Sequence, residues 1–65
     1  MNPIKDMRKN LNMSQFELSQ RTGLSQSIIS SYERGDKRPG ADAIISLCDA
    51  LDCTADELLG RKAAT

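Results

Sequence analysis

Apolar residues recur at helical spacing along the 65-residue chain, in five short blocks separated by breakers. Ile4, Met7 and Leu11 follow an i, i+3, i+7 pattern, the mark of one buried helical face. Pro3 suits the first helical position, where its missing N–H would have no intrahelical partner, and Asn2 can cap it. A first helix is expected over Pro3–Leu11, ended by Asn10-Leu11-Asn12. Ser14 and Glu17 form S-x-x-E, a capping box, with Met13 and Leu18 at the positions of a hydrophobic staple. They start a second helix that runs to Arg21 or Thr22, where Gly23 supplies a left-handed conformation. Ser25 caps a third helix to Arg34, with Gly35 just beyond it. Asp36-Lys37-Arg38-Pro39-Gly40 reads as a loop. Ile44, Leu47, Cys48 and Leu51 then stripe a fourth helix, Ala41–Leu51. Thr54 and Glu57 make a second capping box, which predicts a fifth helix over Ala55–Leu59 with Gly60 as its stop.

The third helix separates its residues most sharply. At about 100° per residue, Ile28, Ile29, Tyr32 and Glu33 share one arc. Gln26, Ser27, Ser30, Ser31 and Arg34 occupy the other. A merely solvated face usually carries Glu and Lys, and this one carries short hydroxyls, an amide and one Arg. Ser19 on the second helix is small, which allows the third to approach closely. Two short helices joined by a Gly-containing turn, Gln15 to Arg34, are a unit whose use is to place its second helix in a DNA groove.

Length allows one small domain, expected over residues 1–60, with 61–65 as a short frayed tail. Formal net charge is zero, which is weak for a nucleic-acid binder. Its distribution matters more. Residues 1–39 carry seven cations against four carboxylates, or +3; residues 40–65 carry two against five, or −3. The helix-turn-helix candidate lies in the basic part. The two aromatic residues, Phe16 and Tyr32, are too few for a stacking platform on single strands. Cys48 and Cys53 fall at apolar positions, and with no His in the chain neither a metal site nor a disulfide framework is expected. No cofactor is implied. Residues 1–10 contain no apolar signal-type region and nothing reaches membrane-spanning length, so a reducing cytoplasm is the expected compartment.

Arg8, Ser14-Gln15, Leu18, Gly23, Ser25-Gln26-Ser27, Ile29, Tyr32-Glu33-Arg34-Gly35, Pro39, Leu47, Leu51 and Asp56-Glu57-Leu58-Leu59 together resemble the Cro/repressor-type helix-turn-helix family, often called the XRE family. The resemblance covers about residues 4–59. Ser19 departs from the Ala usual there, at little cost in size. The fold implied is all-α, a compact five-helix bundle with a lambda-repressor-like helix-turn-helix DNA-binding domain. By the same resemblance, Gln15 and Gln26 are positions of phosphate and base contact, and Arg8 and Glu33 form a buried structural ion pair between the first and third helices.

The residues themselves fit such a use. Gln26 sits in the first turn of the third helix, the part that enters the major groove, and a Gln can pair bidentately with adenine. Ser27, Ser31 and Ser30 complete the expected base-contacting set. Gln15 stands at a helix start, where an anion is favoured. Gln15, Arg34, Lys37 and Arg38 are the expected phosphate contacts. The expected function is sequence-specific double-stranded DNA binding by a transcriptional regulator, a repressor, acting as a homodimer on an inverted repeat. The acidic, Leu-rich C-terminal half is the expected dimer surface. The alternative is a protein-interaction module on the same fold. An enzyme is not expected, because no catalytic constellation is present. Phe16 stays open: it either covers its own neighbourhood or marks a partner surface, for another subunit, RNA polymerase or another protein.

Overall fold

The structure, a computed structural model, describes residues 3–59. Asn2 as a cap, Gly60 as a stop and the 61–65 tail lie outside the described residues. Five helices follow in order: α1 Pro3–Asn10, α2 Gln15–Thr22, α3 Gln26–Arg34, α4 Ala41–Leu51 and α5 Ala55–Leu58. The described residues contain no strand.

Local chemistry sets most of the boundaries. Ser14 Oγ accepts from the Glu17 N–H at 3.0 Å, and the Ser14 N–H donates to Glu17 Oε1 at 3.2 Å, closing the predicted capping box. Thr54 and Glu57 do the same for α5, at 3.1 and 3.0 Å. Ser25 Oγ caps the Ile28 N–H at 3.1 Å. Gly23 and Gly35 end α2 and α3 with φ of 77° and 81°, a region a side chain occupies only with strain.

The core is Ile4, Met13, Leu18, Ile29, Leu47, Leu51 and Leu58. Leu18, Ile29 and Leu47 are fully buried, one each from α2, α3 and α4. α2 packs on both α3 and α4, while α1 bridges α3 and α5. The helix-turn-helix is therefore clamped from two sides. Cys48 and Cys53 are free thiols packed against this core. Burial, then the neighbouring Cys48, pushes the Cys53 thiol up to about 11, so it stays protonated near neutrality.

Two expectations are corrected, the ends of α1 and α5. α1 ends at Asn10 rather than Leu11. Leu11, past the helix end, is 46% exposed; Asn12 then turns left-handed at φ 58°, and Met13 beyond it is in the core. α5 ends at Leu58, and Leu59 is an exposed cap residue. Ile45, one residue around α4 from the buried stripe, is exposed.

Candidate nucleic-acid interface

The turn between α2 and α3 is held by its own side chains. Thr22 Oγ1 donates to the Leu18 carbonyl at 2.8 Å and accepts from the Leu24 N–H at 3.2 Å. The Gly23 N–H closes α2 on the Ser19 carbonyl at 2.9 Å. These bonds fix the direction in which α3 leaves the turn.

The inner face of α3 is anchored twice. Ile29 is in the core. Glu33 takes both arms of the Arg8 guanidinium, Nε to Oε2 at 2.8 Å and Nη2 to Oε1 at 3.0 Å. Arg8 Nη1 also donates to the Met13 carbonyl at 2.8 Å. Bidentate, charge-assisted geometry of this kind is strong and directional. The hydrogen bond to Glu33 raises the Arg8 pKa further. Burial pushes Glu33 up, but hydrogen bonds from Arg8 and Gln15, with the charges of Arg8 and Lys5, outweigh it and hold the carboxyl below its usual range. The ion pair implied by the resemblance is thus present, with Met13 as an added partner.

Gln15 belongs to the same network. Its Nε2 donates to Glu33 Oε1 at 3.0 Å, so the side chain is half-buried and tied inward. The capping box takes the N–H groups of Ser14 and Glu17, leaving those of Gln15 and Phe16 at the open helix start. Phe16 beside it is 55% exposed.

The outer arc of α3 divides in two. Gln26 and Ser27 are exposed on the first turn, and their side chains hold no hydrogen bond among the described residues. Ser30, Ser31 and Arg34 are brought together further along. Arg34 Nη1 donates to Ser30 Oγ, and Nη2 to Ser31 Oγ at 3.3 Å. Arg34 Nε donates to Asp36 Oδ2 at 2.9 Å, and Ser31 Oγ donates to the Ser27 carbonyl at 3.2 Å. Lys37 and Arg38 stand exposed in the loop that follows, in no ion pair among the described residues. The participation of Gln15 in the ion pair and of Asp36 beside Arg34 are both absent from the sequence reading. The i−4 and i−3 spacing of Ser30 and Ser31 from Arg34 signals only the contacts of Arg34 with those two serines.

The surface so formed can donate and accept hydrogen bonds along one rigid helix and offers exposed cations beside it. Among the described residues, no group of three or more His, Cys, Asp or Glu is placed to hold a metal ion. No helix of the described residues is long and apolar enough to cross a membrane.

A family model described as Helix-turn-helix matches residues 4–58. The chain is 37% identical over 59 residues to the HTH-type transcriptional regulator AnsR of Bacillus subtilis, across 91% of this chain and 51% of that protein. It is 32% identical over 60 residues to the cryptic phage CTXphi transcriptional repressor RstR of Vibrio cholerae, across 92% of this chain and 54% of that one. The chain thus spans about half the length of these two relatives. The solution structure of the DNA-binding domain of the repressor C2 of Salmonella phage P22 aligns with a TM-score of 0.83 at 35% identity, covering 88% of this chain and 75% of that one.

Proposed function

The chain belongs to the helix-turn-helix family, and from that premise we propose that it binds double-stranded DNA sequence-specifically and regulates transcription as a repressor. The observation that carries the reading is the first turn of α3. Gln26 and Ser27 are exposed there, on a helix whose opposite face is locked by Ile29 and Glu33. A side chain that reads a base must be free, and the helix bearing it must not rock. In this reading Gln26 pairs with an adenine edge in the major groove. Ser27 lies beside it, and Ser30 and Ser31 reach the groove further along. Lys37, Arg38 and Arg34 grip the sugar-phosphate backbone. Gln15 contributes to phosphate binding through its backbone N–H, since its carboxamide is engaged with Glu33.

One helix reads few base pairs, so the active species is a homodimer on an inverted repeat with half-sites roughly 34 Å apart. Residues 1–60 act as one DNA-binding module, in the cytoplasm, without catalysis of their own. Phe16 and the exposed Leu59 are available to a second subunit, RNA polymerase or another protein.

In-vitro selection from randomised duplexes tests the reading. The expected outcome is an enriched inverted repeat, with binding weakened by salt to the extent of ~4–6 phosphate contacts per subunit. Gln26→Ala should lose ~1–3 kcal/mol and relax preference at one base position. Selection that enriches nothing would favour a protein-interaction module on this fold. An unchanged preference in Gln26→Ala would remove α3 as the reading helix.

A further inference from the structure

Arg34 presents five N–H donors, and three are already taken by the chain itself: one by Asp36, one by Ser30 and one by Ser31. Gly35, at φ 81°, reverses the backbone immediately after Arg34. The Asp36 N–H then returns to the Ser31 carbonyl at 3.0 Å. This turn sets the Asp36 carboxylate against the guanidinium. Both side chains remain open to water, at 57% and 60% exposure. An exposed pair of this kind is cheap to exchange for another anion. Meanwhile Ser31 spends its hydroxyl proton on the Ser27 carbonyl, and both hydroxyl oxygens accept from Arg34. While Arg34 rests there, the Ser31 proton and one lone pair of each hydroxyl are committed within the chain.

Resting on the DNA reading above, we infer that Asp36 is a positioning residue, an internal stand-in for a DNA phosphate that holds Arg34 across Ser30 and Ser31. A backbone phosphate replaces the Asp36 carboxylate on Arg34, and the carboxylate passes to water. As Arg34 swings to the strand, the two hydroxyls are released toward the groove. Gripping the backbone and completing the outer arc of α3 are then one event. The free protein keeps half of that arc covered.

The test measures fluorescence anisotropy with a duplex recovered by selection and a scrambled duplex of the same length, at fixed salt. Four proteins are compared: wild type, Asp36→Asn, Arg34→Gln and the double variant. Asp36→Asn should tighten binding to both duplexes by about two- to five-fold, the scale of one exposed ion pair. In the Arg34→Gln background the same change should gain less than about 1.5-fold, since coupled residues are non-additive. A gain that persists undiminished without Arg34 overturns the inference, because Asp36 then acts only as a repelling charge. No gain in a wild type that binds overturns it equally. A wild type that binds neither duplex overturns the DNA reading, and this inference with it.

Discussion

Glu33 and Arg34 are consecutive in the chain and each holds an ion pair, yet the two pairs have opposite characters. One helical step rotates a side chain by about 100°. That step separates a pair with 10% and 5% exposure, Arg8 and Glu33, from one with 57% and 60%, Arg34 and Asp36. The first is bidentate, spans 25 residues and is reinforced by Gln15 and the Met13 carbonyl. The second is local and borrows two serine hydroxyls. Similar chemical groups thus fix the helix on its inner side and remain exchangeable on its outer side. Burial decides which, because removing one member of a buried pair strands a charge and removing one of an exposed pair strands nothing.

That contrast is open to direct attack. Arg8→Ala should have the largest effect, destabilising the fold by ~3–5 kcal/mol, read as a collapse of the urea midpoint. For a domain this small the loss is comparable to total stability. A shift below ~1 kcal/mol would mean the inner pair is no anchor. Gln15→Ala should cost about 1 kcal/mol of stability, the scale of one hydrogen bond. If it instead left the melt untouched and lowered only DNA affinity, Gln15 would be a phosphate ligand through its side chain after all. The inner pair should also be visible in acid. Glu33 lies below its usual range in the folded chain, so its stabilisation is complete above the unfolded value of about 4.3. It is lost as the pH falls through that value toward the lower folded one. Urea midpoints should drop below about pH 4.5, and Glu33→Gln should lack that component of the drop. Arg34→Gln should have the smallest effect, within ~0.5 kcal/mol of wild-type stability. A larger loss would place the outer pair in the scaffold too.

What the sequence could disclose follows from the range of each interaction. The capping boxes of Ser14 with Glu17 and Thr54 with Glu57, and the stops at Gly23 and Gly35, are satisfied within a few residues. Their chemistry is written locally. The inner arc of α3 was legible because period and residue type agree at Ile28, Ile29 and Tyr32. Leu11 was misplaced because periodicity registers a face without registering that the helix and its packing end at Asn10. The bond from Gln15 to Glu33 crosses 18 residues, and no spacing rule within one helix reaches that far. Asp36 lies two residues past Arg34 and beyond the helix end, so a search for i, i+4 pairs passes over it.

The bond from Arg8 to the Met13 carbonyl has a consequence for where this module can be cut. A single side chain on α1 holds the start of α2 and, through Glu33, the end of α3. A peptide of residues 14–35 would keep both helices and their turn. It would lose the brace that sets the angle between them, and isolated helices of this length are marginal in water. The portable unit is therefore discontinuous. Any graft of this surface onto another scaffold must carry a guanidinium in the place of Arg8.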